Sequence, residues 1–478
     1  MSHSDPEPST ARPRRELVSR LLPVLVLGLV VVAAVAMLAV LLQDTGDQAS
    51  APPASTSSSP DGGEVKSADA ESDDAGAGAP RSAEAANGDG AAEPAPPAAA
   101  PDPAAAPPSE PIKDAAKPGS PKKKAKPALS EADLPYQIAQ VFYATNRKRT
   151  GLSDPNSFYS GDRGTSGIIV YGACTVSIPK DHRVGEMEAP SLMRLEFSEV
   201  PEQHVVLLTV AEQDRAAFYG DIASRIAASK GKNAFIFVHG YNVSFKDAAR
   251  RTAQMAYDLK FDGAPVFFSW PSQGTMLGYK YDEANVEWAE AGLKTFIKEF
   301  VQTSSAENLY LVAHSMGSRA LTAAVKDLFA ETPEIKTKIR EIILAAPDID
   351  ADVFKTQIAP TFAGEQSLVT LYASSKDLAL TLSKTFNGYP RAGDSGSSIV
   401  VVPGIDTIEA SDVETDFLGH SYFMQSTSII GDIFHIIGEN VPPDQRPHLK
   451  SVTDASGSYW KMVRSAEEPA APASTDGN

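Results

Sequence analysis

The feature that most constrains this sequence is a short apolar run that ends at a serine and passes directly into a helical pattern. Residues 309–313 predict a buried parallel strand, Ser315 follows, and a helical pattern begins at Met316. A serine on such a turn presents its hydroxyl above the sheet, at the positive end of the new helix. The turn needs small neighbours. Gly317 is one, and Ala313 stands where the G-x-S-x-G pattern has its first glycine. The stretch predicts a nucleophilic serine, with a buried serine in an ordinary turn as the alternative.

A regular alternation of strand-like and helix-like segments surrounds this serine. Such alternation predicts a parallel sheet that is covered by helices on both faces. About a hundred residues before it are rich in strand patterns and predict antiparallel strands on one edge of the sheet. The predicted strands are 234–238, 265–270, 309–313, 339–346, 368–373 and 398–402, and the predicted helices are 211–228, 244–259, 282–302 and 316–329.

The N-terminal part of the chain predicts a membrane anchor. Residues 21–42 form a run of 22 residues without a charge, which is long enough to span a bilayer as a helix. Arginines within residues 1–20 and aspartates after the run place the N-terminus in the cytoplasm. A cleaved signal peptide is the alternative, because Ala49-Ser50-Ala51 is a run of small residues. We expect a single-pass protein of the inner (cytoplasmic) membrane, with everything downstream on the periplasmic, extracytoplasmic side.

Composition divides the rest of the chain into a linker, one folded domain and a tail. Residues 43–130 are rich in alanine and proline and lack leucine and aromatic residues from 44 to 127, so they predict a disordered linker. Residues 131–464 have the composition of a globular domain, and 465–478 predict a disordered tail. The single cysteine, Cys174, excludes an intramolecular disulfide. The net charge of −18 argues against nucleic acid as a partner.

Residues with catalytic chemistry follow several of the predicted strands. Functional residues collect at the carboxyl edge of an open parallel sheet. Ser315, Asp348, Asp377 and His420 each follow a strand-like segment, and so does the dipeptide that begins at His239. A serine becomes a good nucleophile only when a base takes its proton, and an acid holds that base in the correct tautomer. The order serine, acid, histidine therefore predicts a catalytic triad, with either aspartate as its acid.

Several short stretches together resemble the alpha/beta-hydrolase superfamily, and more narrowly a bacterial group of alpha/beta-hydrolases of unknown function. The resemblance covers about residues 135–464 and implies the alpha/beta-hydrolase fold, a mostly parallel sheet with helices on both faces. It does not extend to the predicted anchor and linker. The matching stretches are 237–242, 268–272, 313–317, 345–350 and 419–423.

The resemblance also assigns the members of the triad. It makes Ser315 the nucleophile and His420, after the last strand-like segment, the base. Asp377 follows the second strand after the serine strand, which is the usual position of the acid in this superfamily. Asp348 follows the first strand after it, a position that some relatives use. Asp377 is therefore the favoured acid and Asp348 the alternative.

A tetrahedral intermediate needs hydrogen-bond donors for its oxyanion, and the resemblance implies two backbone N–H groups. One belongs to Met316, after the serine, and the other to Tyr241, after a glycine that lets the backbone turn in close. Some neighbouring positions have two possible roles. His314 either shapes the pocket or only packs against its neighbours, and Trp270 and Tyr422 either line the pocket or belong to the core. The motif and pocket positions are His239, Gly240, His314, Gly317, Trp270 and Tyr422.

These residues together predict a membrane-anchored serine hydrolase, a carboxylesterase-like or lipase-like enzyme that forms an acyl-serine intermediate. Its substrate would be a small-molecule or lipid-like acyl ester, and no metal or cofactor is expected, since the histidines lack paired ligand spacing. An acyltransferase that uses the same triad is one alternative. The other is a catalytically dead hydrolase-fold domain that binds a partner in the cell envelope.

Overall fold

The computed structural model describes residues 134–191, 196–362, 368–413 and 426–463. Residues 1–133, which hold the predicted cytoplasmic segment, anchor and linker, lie outside this range, as do His420, Tyr422 and the predicted tail. Among the described residues, no helix has the length and apolar character needed to cross a membrane.

Eleven strands of the described chain form one sheet, and two short strands form a separate ribbon. The sheet order is β12-β13-β11-β10-β9-β8-β6-β7-β1-β4-β5, and β2 pairs with β3. The strands are β1 Tyr136–Thr145, β2 Arg147–Arg149, β3 Tyr159–Arg163, β4 Val170–Pro179, β5 Val206–Gln213, β6 Asn233–Val238, β7 Gly263–Ser269, β8 Asn308–His314, β9 Ile339–Ala345, β10 Val369–Ala373, β11 Ile405–Glu409, β12 Leu449–Asp454 and β13 Gly457–Met462.

The central strands of this sheet are parallel. From β1 through β7, β6, β8, β9, β10 and β11 to β13, each strand runs parallel to its neighbour. The antiparallel pairs are β1 with β4, β4 with β5, and β12 with β13. The prediction of a parallel sheet with an antiparallel edge is therefore confirmed, and β1 joins the two parts.

Helices connect the parallel strands, and several begin at a side-chain cap. The Asp214 carboxylate accepts a hydrogen bond from Ala217 N, and Ser244 Oγ accepts one from Asp247 N, which satisfies N–H groups that a helix start leaves unpaired. The helices are α1 Arg215–Ala228, α2 Phe245–Asp258, α3 Tyr279–Thr303, α4 Gly317–Glu331, α5 Ala351–Val353, α6 Ala359–Phe362, α7 Leu378–Asn387 and α8 Thr427–Phe434.

The core has two layers, one on each face of the sheet. Alternate residues of a strand point to opposite faces, and in β8 Leu309 and Leu311 join one layer while Tyr310 and Val312 join the other. The first layer also contains the apolar residues of α1, α3 and α4. The second contains those of α2 and α8. A sheet that is covered on both faces explains why its central strands are almost entirely apolar.

Two features of the C-terminal part differ from the prediction. Residues 398–402, predicted as a strand, contain the end of a short 3-10 turn and irregular backbone, and the strand that pairs with β10 is β11, Ile405–Glu409. Val400 is fully buried, so the apolar run indicates burial but does not indicate that the backbone pairs as a strand. The β12–β13 hairpin was not predicted, because its residues are almost all exposed or half-buried and lack an apolar alternation.

Candidate active site

The predicted site residues that the structure describes lie at one edge of the sheet. His239 follows β6, Ser315 follows β8, Asp348 follows β9 and Asp377 follows β10. These four strands are consecutive neighbours in the sheet and run in the same direction. Their carboxyl ends therefore meet at one edge, as the sequence predicted.

Ser315 lies in a strained turn between β8 and α4. Its φ angle is +50°, in the left-handed region that a residue with a Cβ rarely adopts. Such a conformation costs on the order of 1–3 kcal/mol and persists only where the surroundings enforce it. Here Ser315 N donates to Ala345 O at 2.9 Å, and Ser315 O accepts from Asp348 N at 3.2 Å and Ser318 N at 3.0 Å. The serine has the backbone geometry of a nucleophile elbow.

Two glycines allow the elbow to pack closely. A Cβ on Gly317 would lie 2.3 Å from His239 O, so the start of α4 requires a glycine against the end of β6. A Cβ on Gly240 would lie 2.9 Å from His314 Nδ1 and 3.0 Å from Ser315 Cβ. The backbone of Gly240 therefore touches the serine directly. Ala313, at the place of the other motif glycine, is fully buried, and its methyl group is accommodated in the core.

The two predicted oxyanion donors belong to the segments that meet at the serine. Met316 is fully buried and immediately precedes α4, where the helix dipole favours negative charge. Tyr241 is half-buried, and its ring packs at 5.3 Å against that of Tyr279. Burial, followed by the nearby Asp282 carboxylate, raises the pKa of the Tyr241 hydroxyl to about 12. The Tyr241 side chain is thus neutral at physiological pH.

The segment from His239 to Val243, the 239–243 loop, begins with a buried and neutral histidine. Because the carbonyl of Gly240 can only accept, His239 Nδ1 donates to it, at 2.9 Å. Nε2 is then the acceptor, 3.1 Å from Ser269 Oγ. Burial, and then the nearby guanidinium of Arg147, lowers the pKa of His239 to about 3. The ring stacks on Trp270, whose Nε1 donates to His239 O at 2.7 Å.

A fully buried arginine lies beneath the same loop. Arg147 is 2% exposed, and five hydrogen bonds engage its guanidinium, none of them to a carboxylate. Burial lowers its pKa to about 9, which leaves it charged at neutral pH. The acceptors are Ser269 Oγ at 2.8 Å, Ser272 O at 2.8 Å, Val243 O at 2.8 Å, Ser160 O at 3.2 Å and His239 Nε2 at 3.3 Å.

A buried carboxylate holds the other end of the loop. Asp282, in the first turn of α3, is fully buried, and it accepts from Asn242 N at 3.1 Å and from Gln273 N at 2.7 Å. Ser272 Oγ donates to it at 2.6 Å and accepts from Val243 N at 3.1 Å. Burial raises its pKa, and the hydrogen bonds to Ser272 and to backbone oppose this. We call Arg147, His239, Ser269, Ser272 and Asp282 the loop network.

Asp348 belongs to a different group of buried charges. Its carboxylate is 3% exposed and receives donors on both oxygens. The donors are Arg391 Nε at 2.9 Å and Ser383 Oγ on Oδ1, and Arg319 Nη2 at 2.8 Å and Tyr279 OH at 3.1 Å on Oδ2. We call Asp348 and these four partners the Asp348 cluster.

Asp377 is buried in the loop that follows β10. Its side chain is 1% exposed, and Oδ1 accepts from Leu380 N at 3.0 Å, a bond that ties it to the first turn of α7. The Asp348 carboxylate, by comparison, lies between two guanidinium groups.

The remaining predicted positions divide into three groups. His314 is half-buried and adjoins Gly240. Trp270 is fully buried in the first core layer, so it has the core role of the two that the sequence left open. His420 and Tyr422 lie outside the described residues. Within the described ranges, no group of three or more histidine, cysteine, aspartate or glutamate side chains could hold a metal ion.

Sequence reasoning missed Arg147 and Asp282. Arg147 stands in the polar turn that follows the strand pattern of β1, and Asp282 opens a predicted helix, where an acid is expected for the helix dipole alone. The available signal was their place at strand and helix ends on the carboxyl side of the sheet. Arg147 bonds residues 92 and 96 positions away in the sequence, and Asp282 bonds Asn242, 40 positions away, which no local pattern reveals.

A known protein family matches part of the chain. Residues 214–439 match the family described as alpha/beta hydrolase of unknown function (DUF900). No curated protein matches the chain.

Solved structures with a similar fold are distant. They include lipase B of Aspergillus fumigatus (13% identity, 45% of this chain and 54% of the lipase, TM-score 0.29), a cutinase-like protein from Cryptococcus sp. (10%, 45% and 97%, 0.27) and an esterase B from Lactobacillus rhamnosis (14%, 54% and 90%, 0.27). The chain spans about half the length of the lipase. Identities and TM-scores this low support no conclusion about activity. The family match confirms the resemblance that the motifs predicted: residues 214–439 are similar to the alpha/beta hydrolases of this family.

Proposed function

We propose that the protein is a serine hydrolase that cleaves a carboxylic ester or a related acyl bond through an acyl-Ser315 intermediate. The observation that carries this proposal is the left-handed conformation of Ser315 between β8 and α4, with the backbone of Gly240 in contact with its Cβ. A strained serine costs stability, and such strain is concentrated at functional sites. A serine with only a packing role would not need this conformation.

The proposed reaction has two acyl transfers. Ser315 Oγ attacks the acyl carbon while His420 takes its proton, and the oxyanion is stabilised by the N–H groups of Met316 and Tyr241. His420 then gives the proton to the departing alkoxide, which leaves the acyl-Ser315 ester. Water then attacks the acyl carbon of this ester while His420 takes a proton from it, and His420 returns that proton to Ser315 Oγ as the oxygen leaves. This step releases the carboxylic acid and restores the serine. An acyltransferase would differ only in the use of an alcohol in place of water.

We infer that Asp377, and not Asp348, is the acid that orients His420. Two arginines, a serine and a tyrosine already occupy both oxygens of Asp348, so an imidazolium would have to compete with two guanidinium groups. Asp377 is buried at the same edge of the sheet and follows the second strand after the serine strand, the usual position of the acid that the resemblance implies. A carboxylate there would hold the imidazole of His420 in the correct tautomer and stabilise its charged form.

We also propose that the hydrolase domain is anchored to the inner membrane and faces the periplasm. The support is the uncharged run 21–42 with arginines before it and aspartates after it. Protease added to intact spheroplasts should digest the domain, and protection until the cells are lysed would place it in the cytoplasm. The substrate class, a small-molecule or lipid-like acyl ester, is compatible with either placement.

The decisive experiment compares ester hydrolysis by the purified full-length protein and its variants. With p-nitrophenyl acetate, butyrate and decanoate, Ser315→Ala should abolish turnover, and Asp377→Asn should lower kcat by about 10³- to 10⁴-fold, because the base loses its orienting partner. Asp348→Asn should retain kcat per folded molecule. Ser318→Ala, the same substitution at the second residue of α4, is the matched control and should retain activity.

A fluorophosphonate probe separates the remaining outcomes. Labelling that depends on Ser315 without turnover of any test ester would mean that the machinery works and that the substrate class is wrong. Transfer of the acyl group to an added alcohol in preference to water would support the acyltransferase. Neither labelling nor turnover would refute the proposal and leave a domain that binds an envelope partner.

A further inference from the structure

The 239–243 loop carries one of the two proposed oxyanion donors, and its backbone is held on both sides of Tyr241. On the N-terminal side, Gly240 O accepts from His239 Nδ1 at 2.9 Å. On the C-terminal side, Asn242 N donates to Asp282 at 3.1 Å, and Val243 O accepts from Arg147 at 2.8 Å. Asn242 also has a φ of +58°, which needs such external support. The loop is thus tied to buried groups at three points.

The groups that hold the loop come from four separate parts of the chain. Arg147 follows β1, Ser269 ends β7, Ser272 lies beyond β7, and Asp282 is in the first turn of α3. Arg147 connects them, because a guanidinium has five N–H donors in a rigid plane and all five bonds are made here. A single planar guanidinium thereby fixes the mutual positions of the loop, β7 and the turn after it.

The composition of this network is unusual for a purely structural support. Burying a charge is unfavourable unless hydrogen bonds compensate it, and apolar packing of similar volume often stabilises a fold as well or better. Arg147 and Asp282 are both buried and do not bond each other directly, since their partners are backbone atoms, serine hydroxyls and the imidazole of His239. What this arrangement provides is a fixed backbone position.

We propose that Arg147 and Asp282 are positioning residues that aim Tyr241 N–H at the oxyanion. This inference rests on the proposed serine hydrolase activity. An oxyanion donor acts at about 2.7–3.1 Å from the oxygen that it stabilises, and misplacement by about 1 Å can lower a rate by about 10²-fold. The network therefore acts on the transition state through the loop, and neither residue needs to touch the substrate.

The test is Arg147→Lys, beside Arg149→Lys as the matched control. Lysine retains the charge but cannot reach the five acceptors of the planar guanidinium. We expect kcat for p-nitrophenyl butyrate to fall about 10- to 100-fold with KM changed less than about threefold. Arg149 is two residues further along β2, partly exposed and paired with Glu212, so its substitution should leave kcat unchanged.

A second readout tests the oxyanion directly. A trifluoromethyl ketone forms a bond from serine Oγ to its carbonyl carbon, and the carbonyl oxygen becomes an oxyanion. Its inhibition constant should rise for Arg147→Lys by about the same factor as kcat/KM falls, since both report oxyanion stabilisation. A variant that only folds less completely would lower the fraction of active protein. Its folded molecules would keep the wild-type geometry of the site, so the inhibition constant would be unchanged.

Two further variants keep the outcome decisive. Ser269→Ala removes the hydroxyl between Arg147 Nε and His239 Nε2, and Asp282→Asn removes the charge that holds Asn242 N; each should lower kcat about 3- to 30-fold. If Arg147→Lys does not fold, these two variants decide, and wild-type kcat and inhibition constants in both would overturn the proposal. Absence of turnover and of ketone inhibition in the wild type would instead refute the hydrolase activity itself.

Discussion

Two buried polar groups flank Ser315, and the charged side chains in them have different kinds of partner. In the loop network, Arg147 donates to carbonyls, a hydroxyl and an imidazole, and Asp282 lies beyond hydrogen-bond contact with it. In the Asp348 cluster, Arg319 and Arg391 bond the same carboxylate at 2.8 and 2.9 Å. One group engages the backbone, and the other is an ion-pair triad of side chains.

This difference indicates that the two groups have different tasks. A guanidinium that bonds several carbonyls fixes main-chain positions, so its loss should appear first in the geometry of the loop. The Asp348 cluster joins side chains of α4, of α7 and of the segments after β9 and α7, so its loss should appear first in stability. The comparison predicts a separation between variants that lose rate and variants that lose folding free energy.

The largest stability effect should come from the Asp348 cluster. Asp348→Asn leaves two guanidinium groups facing an amide, and removal of one partner from a buried ion pair costs about 3–5 kcal/mol in the free energy of unfolding. Urea denaturation measures this loss. Asp352→Asn, an exposed position on α5, is the control and should change the free energy by less than about 0.5 kcal/mol. An equally small change for Asp348→Asn would remove the contrast between the two groups.

The loop network contains a titratable histidine, which gives it a distinct pH dependence. The pKa of His239 is about 3 in the folded protein, below an unfolded value of about 6.5. The unfolded chain therefore takes up a proton first as the pH falls, and stability is lost progressively below about pH 6.5. The slope reaches about 1.4 kcal/mol per pH unit, or about 2–3 kcal/mol between pH 6.5 and 4.5.

Denaturation curves at pH 7.0, 5.5 and 4.5 for the wild type and His239→Gln isolate this contribution. Glutamine does not titrate, so the variant should be less stable at pH 7 but should lose less on acidification than the wild type. Parallel losses in the two proteins would assign the acid sensitivity to other groups. In that case the neutral histidine would have no part in the pH response of the loop network.

The smallest effect tests whether the two groups are independent. Tyr279 connects the Asp348 cluster to the 239–243 loop, because its hydroxyl donates to Asp348 at 3.1 Å and its ring packs against Tyr241. Tyr279→Phe removes only the hydroxyl and should cost about 1 kcal/mol of stability, with kcat changed less than about twofold. In a double-mutant cycle with Arg147→Lys, the two effects on stability should add within about 0.5 kcal/mol. A larger coupling would show that both groups act as one unit.

The sequence predicted the features that depend on local pattern. The strands β6 to β10 and the helices between them appear as apolar runs and helical periodicity, and the turn at Ser315 appears as a serine between a strand and a glycine-containing helix start. The strand at 398–402 was wrong, since an apolar run records burial whether or not its backbone pairs. Trp270 belongs to the core, and only the tertiary contacts with His239 distinguish that role from pocket lining.

The loop network could not be predicted for a related reason. Arg147, His239 and Asp282 are far apart in the chain, and each has an ordinary local explanation as a turn, motif or helix-start residue. Their convergence depends on the order of strands in the sheet, where β1 lies beside β7 and β7 beside β6. The sequence left the choice between Asp348 and Asp377 open for the same reason, because the two arginines that bond Asp348 come from different elements.

The position of β1 has a consequence for where a minimal active fragment begins. The family match starts at residue 214, but β1 pairs with β7 through Phe142 and Val266, and Arg147 follows it. A fragment cut at residue 214 would expose one edge of β7 to other chains, and unpaired edges promote aggregation. It would also retain Ser315 but lack Arg147, whose guanidinium holds the 239–243 loop beside that serine. The smallest fragment that keeps both the pairing of β7 and the guanidinium beneath the loop therefore begins near Tyr136.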